Sequence, residues 1–386
     1  MGALGVIAAA FAGSTLITPL YSLYQESFGF SEITLTLVYA VYVVGNVIAL
    51  LIFGRLSDQI GRRRVAIPAV ALAAAGTLLF LFARSTAWLV LARVLSGLAV
   101  GCSAGTATAW IADLLGAGQP RRASSLAASA NFAGIAIGPL IAGALVQYTR
   151  YPLQLPYVVY LVVLAAAAIG AITTRETVAR RPLRQISLRP RIGVPRELRA
   201  RFVAPAVTGF ATFALVGFYA ALVPSLVHDA LGEHNRAIGA AVVAALFVAA
   251  TVVVPFTARL ASRTAMRAGL ALLIPSAGLL VLAQLLQVLG VLLAASVLGG
   301  VACALAYRGS LQLTTESAPD DRRAEVVSTY YVVGFVGNAV PVVGVGLMAR
   351  VAGSMAADAV FGAVIAVFAV VALVAAALVR DHRRPA

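Results

Sequence analysis

Twelve stretches of this 386-residue chain are long and apolar enough to cross a lipid bilayer, at about 3–25, 33–54, 65–83, 86–112, 124–148, 155–173, 202–224, 237–256, 268–286, 289–312, 325–348 and 355–379. Each crossing takes about 20 mostly apolar residues. Twelve therefore take roughly 240, which accounts for the 61% hydrophobic content of the chain. Water cannot satisfy backbone polar groups inside the hydrocarbon, so segments of this length cross as α-helices. Only 11% of the residues are charged, against about 25% in an average soluble domain, which excludes an ordinary cytosolic enzyme. The fold class that follows is an all-α membrane protein.

The chain carries 29 basic residues, all of them arginine, and a net charge of +15. An even number of crossings puts both termini on one side. The loops on that side, 54–64, 113–123, 174–201, 257–267, 313–324 and the tail from Arg380, hold 23 of the 29 arginines. The opposite loops hold Arg84, Arg150, Arg236 and Arg350. Positive loops are retained in the cytoplasm, so the asymmetry predicts a multi-pass protein of a bacterial-type inner membrane with both termini cytoplasmic. Explained as topology, the charge gives no reason to expect a nucleic-acid partner. Cys102 and Cys303 stand alone in apolar runs and supply neither a disulfide framework nor a metal set, and no cofactor is expected. The N-terminal MGALGVIAAAFAG lacks a basic n-region and reads as the first span.

Residues 174–201 form the one long polar stretch, with nine arginines and Pro182, Pro190 and Pro195. It reads as a cytoplasmic linker between an N-terminal six-helix bundle, 1–173, and a C-terminal one with a short tail, 202–386. It is either a plain solvated linker or a segment drawn to anionic lipids. The halves are related at an offset of 203. Tyr21 to Gly29 lines up with Pro224 to Gly232, Val94-Leu-Ser-Gly97 faces Val297-Leu-Gly-Gly300, and Asp113 meets Glu316. Duplicated six-span halves mark secondary transporters, which rock one half against the other around a midplane site.

Between the second and third spans stands Gly54-Arg-Leu-Ser-Asp58-Gln-Ile-Gly61-Arg62-Arg63-Arg64. Its glycines permit a tight turn, and an acid there can sit at a helix N-terminus. The string closely resembles the G-x-x-x-D-x-x-G-R-R loop of the major facilitator superfamily, and the resemblance extends over nearly the whole chain. It implies the major facilitator fold, two pseudo-symmetric six-helix bundles, and a cytoplasmic latch between the halves formed by Gly54, Asp58, Gly61, Arg62, Arg63 and Asp113. The matching loop of the second half, Ala258 to Arg267, lacks both the acid and the glycine. In the fifth span, Gly134-Ile-Ala-Ile-Gly138-Pro139-Leu-Ile-Ala-Gly143 combines small residues, which let helices approach closely, with a kinking proline. The full string resembles the fifth-helix motif of the drug/proton antiporter branch, which implies export.

Two arginines escape the topological explanation. Arg93 lies well inside the fourth span, in an R-x-x-x-G setting that resembles the motif of proton-coupled members. An arginine at bilayer depth costs about 2.5–3.5 kcal/mol on insertion scales. It does not give up its proton, so it either holds a substrate anion, acts on a nearby carboxylate, or braces the helices. Arg308, in the tenth span, faces Gly105 at the repeat offset, and it serves either an anionic substrate or a salt bridge to Glu316. Among the fourteen acids none falls in the middle third of a span. Glu26 is the titratable candidate if the first helix extends one turn, and otherwise a solvated loop acid. Tyr21, Tyr39, Tyr42, Asn46, Asn131, Tyr307, Tyr330, Tyr331 and Asn338 must turn inward for hydrogen bonds and outline a path suited to a moderately apolar organic solute. These features together predict a monomeric, non-enzymatic transporter that exports small organic compounds against protons. The rivals are a facilitator or importer of such a solute, and a non-transporting receptor or scaffold on the same fold.

Overall fold

A computed structural model of the chain describes residues 1–53, 56–116, 118–179, 192–257, 259–319 and 322–378, with Pro120, Arg121 and Ala324 described by their backbone alone. Gly54, the middle of the linker and the tail from Arg380 lie outside the described residues. Twelve helices among the described residues are long and apolar enough to cross a membrane: α1 (Gly2–Phe28), α2 (Glu32–Phe53), α3 (Arg62–Leu81), α4 (Thr86–Leu115), α5 (Arg122–Tyr148), α6 (Leu155–Thr173), α7 (Arg196–Ala221), α8 (Arg236–Thr257), α9 (Ser262–Leu286), α10 (Leu289–Ser317), α11 (Glu325–Ala352) and α12 (Ser354–Leu378). Most outrun the apolar runs by a few residues, because a helix continues into the polar interface once its core is spanned. Helix α7 begins six residues ahead of its apolar run, so the linker is shorter than its polar composition suggests.

The repeat is visible in the helix boundaries. Shifting α2 and α4 by 203 residues lands within a residue or two of α8 and α10, and α5 shifted likewise lands on α11. Two hydrophobic cores follow the halves, each taking in a few residues of the other: Ala220, Ala221 and Val342 join the first, and Phe132, Ile135 and Ala136 the second. One is built around Leu20, Trp110, Tyr157 and Leu164, the other around Phe218, Phe247, Leu273 and Ile365. A smaller cluster of Ala10, Tyr42, Val43 and Val100 meets Phe335 and Ala339 between the halves.

Two prolines show how the halves and helices are joined. Proline has no N–H, so it leaves the carbonyl four residues earlier without its helical donor. Pro139 orphans Ile135 in this way, and Thr15 Oγ1 of α1 donates to that carbonyl at 2.9 Å. Pro224 opens the short helix Val223–Asp229 and orphans Ala220. The carbonyl of Ala220 accepts from Thr18 Oγ1 of the other half at 2.8 Å.

Candidate functional site

Counting along the helices at 1.5 Å per residue, Tyr21, Tyr39 and Arg93 each lie about 10 Å in from the arginine-poor face. That shared depth brings them together. Arg93 is 0% exposed. Its Nε donates to the Tyr21 hydroxyl at 2.9 Å, its Nη2 reaches the same oxygen, and its Nη1 donates to Ser14 O at 2.9 Å. The rings of Tyr42, Tyr39 and Tyr21 stand 5.2, 5.4 and 5.5 Å from the guanidinium carbon, within cation–π range. Asn46 is fully buried beside Tyr42, and its amide makes no hydrogen bond of full geometry. Among the described residues no acid bonds to Arg93.

The path residues collect where the halves meet. Tyr39 of the first half donates to Asn338 Oδ1 at 3.0 Å, and the Asn338 amide donates to Phe213 O at 3.1 Å. The Tyr307 and Tyr331 hydroxyls are 3.0 Å apart. Around them stand Phe132, Phe213 and Phe335, with ring centroids 5.5–6.4 Å from their neighbours. Asn131 is half-buried beside Phe132 and forms no side-chain bond among the described residues. The three phenylalanines went unnoticed in the sequence, since an apolar residue in an apolar span carries no mark of which way it faces.

Toward the arginine-poor face the halves are fastened together. Glu26 pairs with Arg236 Nη2 at 2.9 Å. The Arg236 N–H donates to Gln147 Oε1 at 3.0 Å, and Asn235 Nδ2 to the Tyr148 hydroxyl at 3.3 Å. A Cβ on Gly346 of α11 would lie 2.6 Å from Thr36 Oγ1 of α2. Glu26 lies in the helical end of the first span, where it sits exposed at the rim and forms half of an ion pair between the bundles.

The Gly134-to-Gly143 string lies where its small residues are needed. A Cβ at Gly134 or Gly138 would collide with the backbone carbonyls of Ala8 or Ala12 in α1, and one at Gly143 with Ala240 of α8. With Pro139 inside it, α5 thus touches its own half through the first two glycines and the other half through the last.

On the arginine-rich face a second network forms within the first half. Arg62 Nε donates to Asp113 Oδ2 at 2.9 Å, and its Nη1 meets Ser57 Oγ at 2.9 Å and Asp58 Oδ1. Gly61 takes φ +114°, and a Cβ there would lie 2.5 Å from Glu176 Oε2, so both its conformation and the space demand glycine. The Glu176 carboxylate accepts the backbone N–H of Arg62 at 2.8 Å and of Arg63 at 3.0 Å. It therefore caps the start of α3 from just beyond the end of the neighbouring α6. Partial burial works against the charge on Glu176, but four backbone N–H groups, those of Arg62, Val178, Thr177 and Arg63, outweigh it and hold the carboxyl below its ordinary value. Thr177 Oγ1 donates to Asp113 Oδ2 at 2.9 Å, and Trp110 Nε1 to Arg175 O at 2.9 Å, which fastens the linker's first residues to the same network. The described bonds of Asp58, Arg62 and Arg63 stay inside the first half. In the second half, Glu316 accepts from Ser262 Oγ at 3.2 Å and is not paired with Arg308, whose Nη2 donates to Leu260 O at 3.1 Å. Glu176 was missed because an acid at the end of a span reads as part of a polar linker.

Comparison with known proteins places this arrangement. The profile of the Major Facilitator Superfamily matches residues 3–340. An uncharacterised MFS-type transporter of Mycobacterium tuberculosis, found in two strains, is 24% identical over 172 residues, 44% of this chain and 25% of that protein. The match thus spans about a quarter of that relative's length. The solved structure of a bacterial homologue of the human lysosomal transporter Spinster, captured inward-facing and occupied, superposes with a TM-score of 0.71 at 16% identity over 97% of this chain and 95% of that one. At 16% identity that likeness shows the fold, and the profile shows the family. Since the profile runs through both bundles and the linker, and the twelve spans repeat as two sixes, the chain belongs to the major facilitator superfamily.

Proposed function

We propose that this protein is a secondary transporter that exports small, largely apolar organic solutes from the cytoplasm in exchange for protons, working by alternating access. The observation that carries the reading is the asymmetry of the joints. Among the described residues, the bundles are joined at mid-depth by Tyr39–Asn338 and toward the arginine-poor face by Glu26–Arg236 and Arg236–Gln147. On the other face, the bonds of Asp58, Arg62 and Asp113 among the described residues run within the first half and to the linker's first residues, Glu176 and Thr177. With 23 of 29 arginines on that face, positive-inside topology turns it, and both termini, toward the cytoplasm of a bacterial-type inner membrane. The molecule then stands shut to the outside, in the state that receives solute from within. The aromatic group around Tyr307 suits an apolar body, and the α5 glycine string supports export by its resemblance to antiporters. The chain works as a monomer. A role for anionic lipids would fall on the linker arginines, most of which lie outside the described residues.

Glu26, paired with Arg236 between the bundles, is the residue through which coupling is tested. The test is flux in proteoliposomes under an imposed pH gradient, with lipophilic cations, neutral drugs and organic anions as a panel. The reading expects gradient-driven accumulation of at least one solute, and Glu26→Gln that weakens the dependence on the gradient. Flux that ignores the gradient points to the facilitator, and a protein that moves none of the panel contradicts transport.

A further inference from the structure

A guanidinium keeps its charge in proteins, and at bilayer depth it persists with a counter-ion or with a task that requires the charge. Arg93 has no counter-ion among the described residues. Its three hydrogen bonds go to neutral oxygens, the Tyr21 hydroxyl and Ser14 O, and the rest of its charge faces tyrosine rings. Ring faces and neutral acceptors hold a cation less well than a carboxylate does.

The repeat supplies an internal control. At the offset of 203, Ser296 takes the place of Arg93, Val242 that of Tyr39, Ala245 that of Tyr42 and Ala249 that of Asn46. Ser296 bonds to Leu292 O at 2.8 Å and to the Tyr219 hydroxyl at 3.2 Å. Helices α8 and α10 therefore pack as α2 and α4 do with no charge between them. A brace does not need an arginine here, and acting on a neighbouring carboxylate fails for want of the carboxylate.

We propose that Arg93 binds the anionic group of the transported solute, a carboxylate or sulfonate carried on an aromatic or otherwise apolar body. In the empty protein, the Tyr21 hydroxyl and the three rings stand in for that anion. Toward the other half, the cluster that contains Tyr42 is packed against by Phe335 and Ala339, and the Tyr39 hydroxyl is held by Asn338. Phe335 also belongs to the aromatic group of Phe213 and Tyr331. An apolar body lodged among those rings thus brings its charged end against Tyr42, and displacing that ring joins anion to guanidinium, with the buried Asn46 amide alongside. A cationic solute in the same place meets an uncompensated positive charge.

The inference rests on the transport reading and adds the class of solute. Equilibrium dialysis of the full-length protein in detergent, with 1-naphthylacetate, 1-naphthaleneacetamide and 1-naphthylmethylammonium as probes of one shape and three charges, reads it directly. The acetate is expected to bind at least about tenfold tighter than either other probe. Arg93→Gln removes that preference and Arg93→Lys keeps part of it. Tyr21→Phe takes away the stand-in acceptor and tightens acetate binding, a gain that a bracing arginine would not produce. Equal or weaker acetate binding by the native protein overturns the proposal, as does a preference that survives Arg93→Gln. If Arg93→Gln does not fold, unchanged or weakened acetate binding in Tyr21→Phe overturns it. Because binding is read without flux, a failed charge preference leaves gradient-driven transport standing, and absent flux leaves the binding result standing.

Discussion

Glu176 illustrates how much one side chain can organise. Its carboxylate closes the N-terminus of α3 from the far end of α6, and it does so as an anion, since its backbone donors favour the charged form. A group held below its ordinary value stabilises the fold at pH above the usual glutamate range, and loses that contribution as pH falls through the lowered value. Glu176→Gln is therefore expected to cost about 1 kcal/mol at neutral pH, the usual worth of a helix cap. In thermal unfolding, the gap between the native protein and the variant should narrow on acidification below the ordinary carboxylate range. A gap that is absent at neutral pH, or that widens in acid, contradicts the capping role. Arg93 was legible from sequence, because a charge inside an apolar run announces itself. Its tyrosine partners were named singly and their convergence was not, since spacing along one helix says nothing about depth on another.

Among the elements, α5 was read most nearly as it stands. The glycines, the proline and the close approach were all present in the string. Hidden in the sequence was the answer on α1, where Thr15 repairs the carbonyl that Pro139 orphans. Thr15→Val keeps the shape and removes the donor, leaving a buried carbonyl unpaired at a cost of about 1–3 kcal/mol. Gly138→Leu forces its side chain into the Ala12 carbonyl and Thr15, and should prevent α1 and α5 from meeting, with loss of folded protein. Thermal stability of purified variants checks both, and an unchanged melting point for either contradicts the packing described. The facing of α7, α10 and α11 was not legible, because a membrane helix is apolar on every side and its phenylalanines give no bias toward core or lipid. The offset of 203 was readable, and the helix boundaries repeat it.

For the whole molecule, the twelve spans were legible from hydropathy. The conformation was not, because one sequence serves every state of a cycle. The Asp58–Arg62 pair is half-exposed and worth at most about 1 kcal/mol to stability. Asp58→Asn should therefore insert and fold as the native chain does, while slowing transport; an unimpaired rate would remove Asp58 from the cycle.

The central claim is that the two faces open in turn. Distances between spin labels in nanodiscs, one pair at Ser31 and Ser354 on the arginine-poor face and another at Gln119 and Leu260 on the arginine-rich face, test it most directly. Acidification or added 1-naphthylacetate is expected to lengthen Ser31–Ser354 in a second population while Gln119–Leu260 shortens in step. Two pairs that lengthen together, or that stay fixed while solute crosses the membrane, would contradict alternating access.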